Sequence, residues 1–203
     1  MKPKMEQKEG FLSVSGRSLF YRYFTPPRIR KDSPVLVFLH EGLGCTEMWK
    51  GFPEKLSQSA SLPALVYDRL GYGRSEPVCE SREMDFLITE AHQYLPEILK
   101  NLGVKSPVIL VGHSDGGSIA LGAASHLGEQ LTGIIAIAPH VIIEDVTRSG
   151  LLHTLDAWNN GDLKARLEKY HGIQTQSMFE SWMDVWLRDR KSTRLNSSHG
   201  KLS

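Results

Sequence analysis

The sequence predicts an α/β fold with a mostly parallel, doubly wound sheet, because strand-like and helix-like segments alternate along the chain. The strand-like segments are continuous apolar runs, which are typical of strands buried on both sides of a parallel sheet. They occupy Pro34–His40, Leu62–Arg69, Ser106–Gly112 and Leu131–Pro139. Right-handed crossover connections then carry the intervening helices onto the faces of the sheet.

The other segments of the first 140 residues fit this plan. Two short runs of β-branched and aromatic residues on either side of Gly16 predict an antiparallel hairpin. Apolar residues recur with helical spacing from Glu83 to Leu102, and Gly103 follows as a C-terminal cap. Further helices are predicted over Glu47–Ser59 and Asp115–Leu127. Residues 1–140 are therefore predicted to form the sheet-containing core.

The pattern changes after Pro139, where no further strand is predicted. Three helix-like segments follow, at about 145–159, 162–170 and 175–188. Trp182 and Trp186 share one face of the last helix. Whether this aromatic face only packs on the core or also covers a pocket is left open, and we expect residues 141–189 to form a helical lid. The basic, serine-rich residues 190–203 are predicted to be a disordered tail, and they resemble a non-native vector junction.

Charge and composition argue against several classes of function. The 24 basic and 23 acidic residues nearly balance, so neither nucleic acid nor a membrane surface is an expected partner. The two cysteines, Cys45 and Cys79, give no disulfide framework, and no spacing fits a metal site. No apolar stretch resembles a signal peptide or a membrane span. We expect a cytoplasmic protein that acts on a small-molecule substrate without a cofactor, and its oligomeric state stays open.

A candidate nucleophile lies in the turn after the third buried strand. Ser114 is the centre of a Gly-x-Ser-x-Gly motif between a strand and a helix, which is the setting of a nucleophile elbow. Gly112 and Gly116 lack the Cβ atoms that would collide across such a tight turn. The serine hydroxyl then lies at the carboxyl end of the sheet, where α/β proteins bind ligands. The helix that begins at Asp115 directs its N-terminal amides to the same place and can stabilise an oxyanion.

Two further glycine-rich motifs follow the first two buried strands. The first runs from His40 to Gly44 as His-Glu-Gly-Leu-Gly, and the second runs from Asp68 to Ser75 as Asp-Arg-Leu-Gly-Tyr-Gly-Arg-Ser. Together with the elbow they resemble the α/β-hydrolase superfamily, of the esterase and carbon–carbon hydrolase type with a helical lid. The resemblance covers about residues 10–189. It implies that Ser114 is the nucleophile and that the backbone amides of Gly42 and Asp115 form the oxyanion hole.

The resemblance leaves the other members of a catalytic triad unassigned. Glu41 departs from the His-Gly pair usual in the first motif, so Gly42 is preferred over Leu43 as the amide donor. In this family the triad acid and histidine follow two later strands, and two such strand–helix units would take about 55 further residues. We therefore expect a C-terminally truncated chain that is weakly active or inactive and poorly stable.

Local residues are weaker candidates for the missing base and acid. His140 follows the last predicted strand, and Glu144 or Asp145 is near enough in sequence to orient it. We expect His113 to point into the structure and His40 to order the backbone after its strand.

Two functions of different classes are compatible with the sequence. The first is a serine hydrolase that acts on a small ester or a related acyl compound, with carbon–carbon bond hydrolysis as a close variant. The second is a non-catalytic fragment or binding module that retains the elbow. The Asp115 carboxylate is interpreted either as a helix cap or as a group that favours cationic substrates.

Overall fold

The computed structural model describes residues 4–78, 81–140 and 145–188, without the side chains of residues 145 and 146. Its strands are β1 Glu6–Val14, β2 Arg17–Thr25, β3 Val35–Leu39, β4 Ala64–Tyr67, β5 Val108–His113 and β6 Leu131–Ile137. They form one sheet in the order β1–β2–β4–β3–β5–β6. The strands β4, β3, β5 and β6 are mutually parallel, whereas β1 pairs antiparallel with β2, and β2 with β4. The predicted mostly parallel α/β sheet with an N-terminal hairpin is confirmed.

Helices follow the strands at the predicted places. They are α1 Phe52–Ala60, α2 Phe86–Thr89, α3 Leu95–Asn101, α4 Asp115–Leu127, α5 Asp145–Asn159, α6 Leu163–His171 and α7 Thr175–Arg188. Short 3-10 helices span Thr46–Trp49, Gly128–Gln130 and Gly172–Gln174. The helix predicted over Glu47–Ser59 is therefore divided, because Lys50, between Thr46–Trp49 and α1, has a φ of 53° that an α-helix does not accommodate. The predicted helix from 83 to 102 is divided by a π-helical turn over Glu90–Tyr94, where the N–H of Leu95 donates to the carbonyl of Glu90. Pro96 follows directly and has no N–H to donate, which explains why the regular ladder is interrupted here.

Alternate residues of the central strands build two apolar layers. Val35, Val37 and Leu39 face one side, where they belong to a cluster with residues of α3 and α4. Leu36 and Phe38 face the other side, in a cluster to which Leu56 of α1 contributes. Both faces of β3 are therefore buried, which is the reason for its continuous apolar sequence.

The helices α5, α6 and α7, here named the three-helix segment, bring a third apolar cluster to the molecule. Phe179 of α7 is buried in it and stacks on Trp158 of α5 at a ring distance of 3.9 Å. Tyr72, from the loop after β4, belongs to the same cluster. The three-helix segment therefore packs on the loops at the carboxyl ends of the parallel strands.

Candidate active site

Ser114 lies at the junction of β5 and α4 in an unusual backbone conformation. Its φ of 53° and ψ of −119° fall in a region that is costly for any residue except glycine. A Cβ atom on Gly112 would overlap the carbonyl group of Gly116, and one on Gly116 would overlap the carbonyl group of Leu39. Glycine is therefore required at both positions. The close approach also places the elbow against the end of β3, so that Ser114 and Gly42 line the same cavity.

The two predicted oxyanion donors have free amides in this arrangement. Within the described ranges, the N–H groups of Gly42 and Asp115 donate no hydrogen bond. The amide of Asp115 belongs to the first turn of α4, where helical N–H groups lack intrahelical acceptors. Unpaired amides beside a serine at a helix N-terminus have the chemistry of an oxyanion hole.

A buried arginine and a buried histidine fix the peptide group that contains the Gly42 amide. The carbonyl oxygen of Glu41 accepts a hydrogen bond from Arg69 Nη2 at 2.7 Å and lies 2.8 Å from His40 Nδ1. Because the carbonyl and the N–H of a trans peptide point in opposite directions, anchoring the Glu41 carbonyl also fixes the direction of the Gly42 N–H. The sequence did not indicate this role for Arg69, whereas the predicted backbone-ordering role of His40 agrees with its contacts.

The electrostatics of this anchor keep His40 neutral. Its Nε2 atom accepts a hydrogen bond from the backbone N–H of Arg69 at 3.1 Å, which leaves the proton on Nδ1. Complete burial, together with the neighbouring Arg69 guanidinium, lowers the pKa of His40 well below 6.5. A neutral ring is the form that both contacts require.

The position of the Asp115 carboxylate differs from both interpretations of the sequence. It is completely buried, its Oδ2 atom accepts a hydrogen bond from Trp182 Nε1 at 2.9 Å, and Arg69 Nη1 lies 3.7 Å away. It does not cap α4 and does not line the cavity. Burial raises the pKa of Asp115, while the Arg69 guanidinium opposes that rise. The carboxylate therefore links α4 to the three-helix segment, and its position gives no contact with a cationic substrate.

The cavity beside Ser114 has a volume of about 590 Å³, within the range of small-molecule sites. Residues of the three-helix segment supply one wall, among them Leu167, Tyr170 and Trp182. The indole of Trp182 also lies beside Gly42, where it fills the space that a side chain at residue 42 would need.

The predicted substitutes for the base and acid are not brought to Ser114. The ring of His140 packs edge-on against Trp186 at 5.4 Å, and its backbone N–H and carbonyl both contact the hydroxyl of Ser118 at 2.9 Å. Glu144 lies outside the described residues, and the side chain of Asp145 is not described. In the parts of the chain that the structure covers, no histidine or carboxylate is hydrogen-bonded to the Ser114 hydroxyl.

His113 was expected to point into the structure, and that expectation is wrong. Its side chain is 41% exposed, and its Nδ1 atom lies 3.0 Å from a carboxylate oxygen of Glu41. Residue 113 ends β5 and pairs in register with the exposed Ile137 of β6, so the ring reaches solvent and the loop after β3 instead of the core.

The described ranges contain neither a candidate metal cluster nor a candidate membrane-spanning helix. They hold no cluster of three or more histidine, cysteine, aspartate or glutamate residues suited to a metal ion. No helix there is both long enough and apolar enough to cross a bilayer.

Comparison with known proteins places the chain in a family. Residues 36–198 match the model of the alpha/beta hydrolase family, which covers most of the chain, so the protein belongs to that family. It is 27% identical over 128 residues to a proline iminopeptidase from Saccharolobus solfataricus, covering 63% of this chain and 39% of that protein. It is 28% identical over 139 residues to human monoglyceride lipase, covering 64% of this chain and 42% of the lipase. The chain thus spans less than half the length of these curated relatives.

Solved structures show the same fold. A 2-hydroxy-6-oxo-6-phenylhexa-2,4-dienoate hydrolase from a Rhodococcus species superimposes with a TM-score of 0.72 at 13% identity, covering 90% of this chain and 72% of that one. A naproxen esterase from Bacillus subtilis gives a TM-score of 0.58 at 18% identity, covering 88% of this chain and 61% of the esterase. Identities this low support the fold and leave the substrate open.

Proposed function

We propose that this chain carries the nucleophile and oxyanion hole of a serine hydrolase that acts on a small ester or related acyl compound. The observation that carries the proposal is the left-handed backbone of Ser114 beside the unpaired amides of Gly42 and Asp115. Strained backbone of this kind persists at functional sites, because a fold without such a site would have no reason to retain its cost.

The proposed reaction has two acyl-transfer steps. In the first, Ser114 Oγ forms a bond to the carbonyl carbon, the carbonyl oxygen becomes an oxyanion held by the two amides, and the C–O bond to the leaving alcohol breaks. The serine proton passes through a general base to the leaving alcohol. In the second, water adds to the acyl-serine and releases the acid and the free serine. The base is not assigned to any residue that the structure describes.

The comparisons support the reaction class and leave the substrate open. The similar proteins are named as peptidase, lipase and esterase, and all are hydrolases. We also propose that the three-helix segment acts as a lid, because Leu167 and Trp182 close one side of the cavity that contains Ser114. A lid in this place would exclude water from the acylation step.

A fluorophosphonate probe tests the nucleophile. We expect slow covalent labelling of the 203-residue chain that maps to Ser114, because an oxyanion hole and substrate binding alone retain about 10³-fold catalysis over water. Ser114→Ala should abolish the labelling. Ser118→Ala is the matched control, since Ser118 lies one turn further along α4 and is bonded to the backbone of His140. An unlabelled wild-type chain, or labelling that survives in Ser114→Ala, would overturn the proposal and favour the binding-module alternative.

A further inference from the structure

The cavity beside Ser114 carries an excess of positive charge. Lys50, Arg166 and Lys169 line it, together with a single carboxylate, that of Glu41. The Glu41 carboxylate lies 3.0 Å from His113 Nδ1, and it can offset at most one of the three cations. The whole chain has a net charge of only +1, so three cations around one cavity are a local concentration and not a consequence of composition.

Lys50 reaches the cavity from a strained backbone position. It follows the 3-10 helix Thr46–Trp49, and its φ of 53° and ψ of −135° lie in a region that favours glycine. The N–H of Lys50 donates to the carbonyl of Glu47 at 3.0 Å, which holds this conformation. Lysine therefore occupies a backbone conformation that glycine would adopt at lower cost, and the glycine of this turn, Gly51, is the next residue.

The other two cations come from α6, whose face towards the cavity is mixed. Leu163, Leu167 and Tyr170 recur there with helical spacing, and Arg166 and Lys169 border them. A cationic last turn is also favoured by the helix dipole, so Lys169 alone would indicate little. Lys50 comes from a separate element and lines the same cavity, and this meeting of cations from two elements is not explained by the helix dipole.

These cations are weakly neutralised. Arg166 lies 3.7 Å from Asp162, and both side chains are largely exposed, so that pair is weak. No carboxylate in the described ranges forms an ion pair with Lys50 or Lys169. All three residues are exposed, so an anionic group in the cavity would be able to form the ion pairs that the described residues do not supply.

We propose that the substrate carries an anionic group, of which a carboxylate is the simplest, in addition to the carbonyl that Ser114 attacks. This inference rests on the proposed function of Ser114. The apolar wall of Leu167, Tyr170 and Trp182 accommodates an acyl chain, and the cations bind its charged end. A planar guanidinium such as that of Arg166 is well suited to bidentate contact with a carboxylate.

Three 4-nitrophenyl esters of equal length test the charge preference. They are mono(4-nitrophenyl) adipate with one negative charge, the corresponding neutral adipamate and the cationic 6-aminohexanoate. We expect kcat/KM at low salt to be roughly tenfold higher for the anionic ester than for the neutral one, and lowest for the cationic ester. The ratio should shrink in 0.5 M NaCl, because salt screens exposed charges. Equal kcat/KM for the anionic and neutral esters, or a preference for the cationic one, would overturn the inference.

Single substitutions test whether the three cations of the cavity cause the preference for the anionic ester. Lys50→Met, Arg166→Met and Lys169→Met should each lower the anionic-to-neutral ratio about two- to fivefold. Lys164→Met is the control: Lys164 is on the same helix, but its Nζ atom lies over Trp158 at 5.5 Å and does not line the cavity. If Lys164→Met lowers the ratio as much as the other three, general surface charge explains the effect and the inference is wrong.

A binding measurement separates this inference from the proposed function. Dissociation constants of the three esters for Ser114→Ala are measured from quenching of tryptophan fluorescence, since Trp182 lines the cavity. Tighter binding of the anionic ester supports the inference even if no fluorophosphonate labelling of Ser114 occurs. Equal affinities for all three esters refute it even if Ser114 is labelled.

Discussion

At the scale of single residues, His171 connects the three-helix segment to two loops of the core. Its Nδ1 atom accepts a hydrogen bond from the N–H of Gly73 at 2.9 Å, and its Nε2 atom lies 3.0 Å from the carbonyl of Leu43. The ring is therefore neutral, with its proton on Nε2. Burial lowers the pKa of His171 below 6.5. Because the unfolded chain takes up this proton first, the stability that His171 contributes is present above pH 6.5 and is lost as the pH falls below it.

The corresponding prediction concerns the change in the free energy of unfolding between pH 7.5 and 5.5. We expect the wild type to lose up to about 1.4 kcal/mol more than His171→Gln over this interval. Urea unfolding at both pH values measures the difference. His153→Gln, at an exposed position of α5, is the control and should behave as the wild type. The same pH dependence in wild type and His171→Gln would contradict the prediction.

The comparison between variants is needed because other buried groups titrate in the opposite sense. Burial raises the pKa of Asp68, Glu90 and Asp115, and the stability that each contributes falls as the pH rises through its folded pKa. These carboxyl groups are common to all three proteins, so their effect cancels in the difference.

At the scale of elements, α7 is held to the site by one of its two tryptophans more than by the other. Trp182 and Trp186 are one turn apart and equally buried. The indole N–H of Trp182 donates a hydrogen bond to Asp115 Oδ2, whereas the indole N–H of Trp186 has no hydrogen-bond partner in the described part of the chain. If each indole is replaced by a phenyl ring, the difference in stability between the two variants reports the contribution of the Trp182–Asp115 hydrogen bond.

We expect Trp182→Phe to lower the free energy of unfolding by about 1–3 kcal/mol, since the buried Asp115 carboxylate loses its donor. Trp186→Phe should cost clearly less, because it removes a polar group that makes no bond. Thermal unfolding followed by circular dichroism compares the two variants, and fluorophosphonate labelling reports on Ser114. Equal destabilisation by both substitutions would show that only ring volume matters in α7.

The sequence was most informative about elements with local signals. The three helices expected at about 145–159, 162–170 and 175–188 are found at Asp145–Asn159, Leu163–His171 and Thr175–Arg188, because periodicity and caps are properties of neighbouring residues. The position of Ser114 between a strand and a helix was predicted in the same way. The bond between Trp182 and Asp115 was not predictable, because it depends on how distant elements pack.

The same limit applies to the residues around the proposed oxyanion hole. Gly42 was predicted from a motif, but the contact of Arg69 with the Glu41 carbonyl depends on the strand order β4–β3–β5, which brings the end of one strand beside the end of another. Strand order leaves no periodic mark in the sequence. The prediction for His113 was wrong for a related reason, since the exposure of its side chain depends on which elements pack against that end of the sheet.

At the scale of the whole molecule, the outer strand β6 leaves an apolar face in solvent. Ile135 pairs in register with Val111, whose side chain belongs to the cluster on the α1 side of the sheet. Ile135 and Ile137 are nevertheless 47% and 42% exposed. No described strand pairs with the outer edge of β6. An exposed apolar edge strand is a surface on which chains associate.

We predict that the double substitution Ile135→Thr and Ile137→Thr reduces self-association of this chain. Threonine retains β-propensity, so each change should alter the free energy of unfolding by no more than about 0.5 kcal/mol. Sedimentation velocity over a range of concentrations measures the association. Ile173→Thr is the control, because Ile173 is fully exposed but isolated from the sheet. A wild type that stays monomeric, or an equal effect of Ile173→Thr, would contradict the prediction.

The backbone of Ser114 has a consequence for any attempt to engineer this protein. A residue other than glycine at this φ costs on the order of 1–3 kcal/mol in every folded molecule. A screen that selects variants only for a higher melting temperature would therefore favour glycine at position 114. Its most heat-resistant products would have lost the hydroxyl, and a screen for thermostability here has to include a measure of turnover.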